Sequence, residues 1–353
     1  MRLIKVENIT ANMKLAKPVY HQGRVLLNVY CSNLHKYKNK LLDIGIHHIY
    51  IEDEKSKNIE VNDIINRKTR IKSKKVIKKT MENISQNKKI EVNKINEAIQ
   101  NIISDITNQE TILVNLIDIK TTDDYTFEHS VNVAVLSILL GKSLNYNRKR
   151  LIKLGTGALL HDIGKVSIPE EILKKPDKLT DREYNIIKEH PKLGYENIKG
   201  YYNLSPLSQI AILSHHEKYD GSGYPHRLAK DDIHEFGKIV GIADVFDALT
   251  SDRCYRNRWP VHKAVDFLIS KANEEFDPQL VNKFVKNIAL YPNGISVKLS
   301  TGEKAIVKKQ NQNCPTRPIV RVIEDKKGEE LEEYKTLNLT ETLNITIIDE
   351  EQK

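Results

Sequence analysis

The sequence predicts a mainly α protein whose long helical block is flanked by a small α/β module before it and a small β-rich module after it. Three observations predict this. Short apolar runs of strand character crowd the first 55 residues, apolar residues recur at helical spacing from about 95 to 290, and beyond Tyr291-Pro292 the period falls to two.

In residues 1–55, Leu3 to Val6, Val25 to Leu27 and His48 to Ile51 read as strands, and residues 32–43 as a helix ending at Gly45. Residues 56–94 turn basic and polar and read as a linker or connecting helix. Arg67, Lys68, Arg70, Lys72, Lys74, Lys75, Lys78 and Lys79 crowd it without aromatic residues, which suits a solvated basic helix better than a surface that stacks nucleic-acid bases. Nucleic acid is therefore not the expected partner, despite a net charge of +9.

Residues 95–292 form the helical block. Ile95, Ile99, Ile102, Ile103 and Ile106 recur at helix spacing, as do Val131, Val135, Ile138 and Leu139. In residues 293–353, Val297 and Leu299 alternate with polar residues up to Thr301-Gly302, and Ala305 to Val307 resumes as a hairpin partner. Ile319 to Ile323 and Leu343 to Ile348 complete the module. No stretch approaches the ~20 apolar residues that span a bilayer, so a cytoplasmic protein without a membrane span is expected. Cys31, Cys254 and Cys314 are scattered, which indicates neither a disulfide framework nor a thiolate metal site.

The chemistry-bearing clusters all fall in the helical block. His161-Asp162 precedes Ile163-Gly164-Lys165, where Gly164 permits a helix break; alone, the pair suits a buried hydrogen bond as well as a metal. His215-His216-Glu217 leads into a turn-rich run ending Gly223-Tyr224-Pro225, and paired histidines are poor apolar filler. Asp244 and Asp247 share a helix face, with a salt bridge to Arg253 or Arg256 as the alternative to metal ligation. His190 stands before Pro191, and His129 lies in an amphipathic helix. The remaining histidines, His47-His48 among them, read as surface or packing residues.

Together these segments resemble the signatures of HD-GYP phosphodiesterases over about residues 120–290, with several motifs in the proper order. The resemblance implies an HD-type helical bundle that hydrolyses cyclic di-GMP to linear pGpG, GMP or both by a metal-bridging hydroxide. It implies two divalent ions, iron or manganese: one held by His129, His161, Asp162 and Asp244, the other by Asp162, His190, His215 and His216. Asp162 would bridge and, with Lys165, carry the chemistry. Lys165, Gly223, Tyr224, Pro225, Asp247, Arg253 and Arg256 would meet the substrate. Some relatives hold a third metal with an acidic residue four before the first histidine. Here that position is Tyr125, which favours two metals, and Asp124 and Glu128 read as solvated helix charges. Another cyclic dinucleotide such as cyclic GMP-AMP, or a receptor that binds without turnover, are the alternatives. The flanking modules are expected to serve dimerisation or contact with a signalling partner.

Overall fold

A computed structural model describes residues 1–21, 24–108, 125–175, 177–251, 258–311 and 314–350. The chain is mainly helical, as expected, with small sheets at both ends. The first module has strands β1 (Arg2–Lys5), β2 (Lys14–Leu15), β3 (Val19–His21) and β4 (Arg24–Leu27), helix α1 (Lys38–Asp43) and strand β5 (His48–Glu52). An antiparallel sheet runs β1-β5-β2, and β3 pairs with β4. Gly45 ends the α1 region at φ +78°, a left-handed backbone that costs glycine little.

The basic segment is helix α2 (Arg67–Ser85), whose one face buries Thr69, Ser73, Ile77 and Met81. Helix α3 (Val92–Thr107) buries all five isoleucines expected of it. Then follow α4 (Tyr125–Ser143), α5 (Arg148–Leu159), α6 (Glu170–Leu173), α7 (Asp181–Ile187), α8 (His190–Ile198), α9 (Pro206–Ser214), α10 (Glu235–Thr250), α11 (Val261–Ser270) and α12 (Pro278–Val285). One apolar core runs from Ile64 to Ile288 through these helices, with α4 at its centre: from Glu128 to Gly141 every residue is buried. No helix among the described residues is long and apolar enough to cross a membrane.

The last module is an antiparallel sheet of β6 (Ser296–Leu299), β7 (Lys304–Lys309), β8 (Ile319–Glu324), β9 (Glu330–Asn338) and β10 (Ile347–Glu350), in the order β10-β6-β7-β8-β9. The hairpin at Thr301-Gly302 is present. Leu343, expected in the final strand, is exposed and lies before it, and β9 has no counterpart in the sequence reading. The first and last modules share a core: Leu3, Tyr50 and Val61 pack with Ile295, Val297 and Val320. The Leu3 amide donates to the Gly294 carbonyl (2.9 Å), and the Arg321 guanidinium to the Lys57 carbonyl (2.6 Å). A buried ion pair, Arg258 to Glu350 at 3.0 Å, ties β10 to the segment before α11.

Candidate metal centre

Helix ends converge on one point. Helix α5 stops at Leu159, so His161 and Asp162 lie in the turn beyond it, followed by the short 3-10 turn Ile163–Ser167. Gly164 matters for a reason other than chain flexibility: a Cβ there would fall on the His190 carbonyl and the Gly194 amide, so only glycine lets this turn seat on α8. That contact brings His190, the first residue of α8, beside Asp162. Helix α9 ends at Ser214 and delivers His215 and His216, while α4 and α10 supply His129 and Asp244 from their sides.

The seven side chains meet. Donor atoms of His129, His161 and Asp162 lie within 4.8 Å of one another, as do those of His190, His215 and His216, and those of His161, His215 and Asp244. Asp162 stands between the first two sets and is 2 % exposed. Its Oδ2 faces His161 Nε2 (3.4 Å) and His129 Nε2 (3.8 Å), and its Oδ1 faces His190 Nε2 (3.4 Å). Asp244 Oδ1 is 3.1 Å from His129 Nε2, and its Oδ2 is 4.0 Å from His216 Nδ1.

The imidazoles are oriented from behind. His161, His190 and His215 each place Nδ1 2.8 Å from the carbonyl three residues earlier, of Ala158, Ile187 and Ile212 respectively. A carbonyl only accepts, so each Nδ1 carries the proton and each Nε2 presents a lone pair to the cluster. His129 Nδ1 is held instead by Asp247 Oδ2 at 2.8 Å.

This arrangement fits a cation. His161 Nε2 is fully buried and has no hydrogen-bond partner among the described residues, a costly state for a polar atom. His190 Nε2 and His215 Nε2 lie 3.2 Å apart with their lone pairs facing, which repel unless positive charge lies close to both. Burial lowers the pKa of His190, lowers that of His215 well below its usual value, and lowers that of His216 to about 3. The neutral imidazole is the form that ligates.

The carboxylates are held ionised. Burial alone would raise Asp162, but the Lys165 ammonium leads the groups that outweigh it and hold the carboxyl well below its usual range. Asp244 is also lowered, its burial overcome chiefly by His129. His129 moves oppositely: burial would lower it, yet hydrogen bonds with Asp244 and Asp247 raise it to about 9.

Around the cluster, Lys165 Nζ reaches Asp162 Oδ2 at 2.6 Å. The Tyr224 ring stacks on His216 with centroids 4.7 Å apart, and its amide donates to the His216 carbonyl (3.1 Å). A Cβ on Gly223 would collide with the backbone of His216 to Lys218, so this loop also needs glycine. Glu217 clamps it, accepting from the amides of His226 (2.7 Å) and Leu228 (3.0 Å).

Asp247, expected at the substrate, is 3 % exposed and lies behind His129; its Oδ1 accepts from Asn132 Nδ2 at 2.8 Å. Glu128, expected in solvent, is buried and pairs with Arg70 and Lys74. Arg253, Arg256 and Asp124 lie outside the described residues, as does the Tyr125 side chain. Asn132, Lys188 and Tyr184 are additions to the sequence reading. Lys188 Nζ sits 4.6 Å from the Tyr184 ring centroid and 5.9 Å from that of Tyr224, at the rim of the cluster. Asn132 follows His129 at i+3 on α4, a spacing that puts both on one side of the helix.

Three helix ends and the sides of α4 and α10 thus gather five histidines and two aspartates in one helical bundle. Residues 111–280 match the HD domain family, and residues 296–352 match the KOW domain associated with HD domain. A cyclic di-GMP phosphodiesterase of Pseudomonas aeruginosa is 36% identical over 226 residues, covering 64% of this chain and 54% of its own length. The cyclic di-GMP phosphodiesterase response regulator RpfG of Xanthomonas campestris is 39% identical over 152 residues, 43% of this chain and 40% of its own. A 3'3'-cGAMP-specific phosphodiesterase of Vibrio cholerae is 41% identical over 129 residues, 36% and 25% of the two chains. The chain spans about half the length of the first of these relatives and less of the others. Residues 111–280 thus carry an HD domain, and the chain is similar to cyclic-dinucleotide phosphodiesterases of the HD-GYP type.

Proposed function

We propose that the protein is a metal-dependent phosphodiesterase that opens cyclic di-GMP to linear pGpG, GMP or both. The observation that carries this reading is the Asp162 carboxylate, set with one oxygen toward His129 and His161 and the other toward His190. Two divalent ions, iron or manganese for imidazole and carboxylate donors without thiolate, would neutralise the phosphodiester and lower the pKa of water. His129, His161, Asp162 and Asp244 would hold one of them, and Asp162, His190, His215 and His216 the other.

The chain's own groups would do the rest. Water adds to phosphorus, the bond to the 3' oxygen breaks, and that oxygen takes a proton. Lys165, partly exposed and already at the cluster, is placed to bind a phosphate oxygen or to supply that proton. Tyr224, between Gly223 and Pro225, would wall the pocket beside His216, with Lys188 as a further cation at its rim. Arg253 and Arg256 remain proposed contacts to phosphate or guanine. Asp247, whose two oxygens meet His129 and Asn132, is proposed to orient His129 from behind.

A second reading keeps the chemistry and changes the base: the 41% identical relative is specific for 3'3'-cGAMP. Incubating manganese-loaded protein with cyclic di-GMP and with cyclic GMP-AMP, then resolving products by chromatography, separates the two. Faster loss of cyclic di-GMP, abolished in Asp162→Ala, is expected. Tight binding with no product from either compound refutes the enzyme in favour of a receptor.

A further inference from the structure

The basic helix α2 lies outside the matched HD domain, yet it reaches the residues behind the cluster through partly buried hydrogen bonds. Arg70 Nη1 donates to Asn132 Oδ1 (2.7 Å) and to Glu128 Oε1 (2.5 Å). Because the Asn132 oxygen faces Arg70, its amide nitrogen must face the other way, and it donates to Asp247 Oδ1 (2.8 Å). Asp247 Oδ2 in turn holds His129 Nδ1 (2.8 Å), and His129 Nε2 points at Asp244. Glu128, next to His129 on α4, is gripped by Arg70 and by Lys74 Nζ (2.9 Å).

Each link fixes the next. A carboxylate held at both oxygens cannot rotate, and an imidazole held at Nδ1 cannot tilt. Glu128, His129, Asn132 and Asp247 are all buried, so water cannot replace a lost partner. At this same N-terminal end α2 is tied down just before Arg70. Asn66 donates to both oxygens of Asp105, at 2.8 Å from its amide and 2.7 Å from Nδ2, and Ile64 and Ile65 enter the helical core. Val61, a few residues earlier, packs in the core shared by the first and last modules.

We infer that Arg70 is a positioning residue for His129, acting through Asn132 and Asp247, and that α2 thereby couples the flanking modules to one of the two metal positions. This rests on the metal reading above. The coupling is selective, because the hydrogen bonds described for His190 and His215 run to the carbonyls of Ile187 and Ile212 and not to α2.

The test is Mn²⁺ binding to chelator-stripped full-length protein, followed by electron paramagnetic resonance of free Mn²⁺, for wild type, Arg70→Met, Arg70→Lys and Asn132→Leu. Loss of a partner behind a ligating histidine typically weakens binding about 10- to 100-fold. That loss is expected at one of the two sites in Arg70→Met and Asn132→Leu, with the second site unchanged. Arg70→Lys, which keeps a cation in place, should recover part of it and serves if Arg70→Met does not fold. The double variant Arg70→Met/Asn132→Leu should lose no more than the weaker single one, because both break the same line. Equal weakening of both sites in step with thermal stability would reduce Arg70 to a packing role and overturn the inference. Unchanged affinities in variants of a wild type that binds two Mn²⁺ overturn it alone, and a wild type that binds none overturns the metal reading with it.

Discussion

Stripping the metal from this protein should leave its stability steeply dependent on alkaline pH, and His129 sets the window. In the metal-free cluster its imidazolium lies between Asp244 and Asp247, with a pKa of about 9 against 6.5 for a free histidine. A group whose pKa is raised by folding stabilises fully below its unfolded value, and that stabilisation is lost as pH rises through the folded one. At about 1.4 kcal/mol per tenfold change in proton affinity, the rise is worth about 3 kcal/mol, lost between roughly pH 6.5 and 9. On the acid side the sign reverses. His190, His215 and His216 are lowered by burial, so what they contribute is present above 6.5 and lost as pH falls. Urea unfolding of chelator-treated protein, followed by circular dichroism from pH 5 to 9.5, should therefore show a maximum near neutrality and a fall of about 3 kcal/mol on the alkaline side. His129→Gln should flatten the alkaline limb and spare the acid one. An alkaline limb of the same slope in that variant would refute the reasoning.

Other perturbations test the packing around the cluster. Gly164→Ala drives a methyl group into the His190 backbone; it should cost about 1–3 kcal/mol as overpacking, and a displacement near 1 Å should lower turnover about 100-fold. Unchanged melting temperature and turnover would contradict that contact. Glu217→Ala leaves the His226 and Leu228 amides without their carboxylate and should cost about 2 kcal/mol. Because this loop carries Tyr224, KM should rise more than kcat falls, which steady-state kinetics reads directly. Mn²⁺ binding near pH 7.5 should release about one proton, from His129, measurable by calorimetry in buffers of different ionisation enthalpy.

Much of this architecture is written in local pattern. The isoleucines of α3 and the hairpin at Thr301-Gly302 follow from periodicity and turn chemistry, and the structure buries and turns them accordingly. Strand β9 escaped because it is an edge strand: its charges and sparse apolar residues suit an unpaired side facing solvent and hide the alternation. His161, Asp162, His190, His215 and His216 were legible because each lies at a helix break that sequence can signal, whereas His129 and Asp244 lie inside helices and drew their weight from the motif resemblance. Their supports were not. Arg70 meets Glu128 across 58 positions of sequence, and no local rule pairs them. Asp247 was placed on the correct helix face, but only the position of His129 decides whether that carboxylate meets substrate or orients a ligand.

The central claim, hydrolysis that depends on two metals sharing Asp162, is tested most directly by titrating Mn²⁺ into stripped protein while following cyclic di-GMP hydrolysis. Turnover should stay near zero through the first equivalent, rise with the second and plateau at two, and Asp162→Ala should remain inactive throughout. A plateau at one equivalent, or turnover that persists in excess chelator, would contradict it.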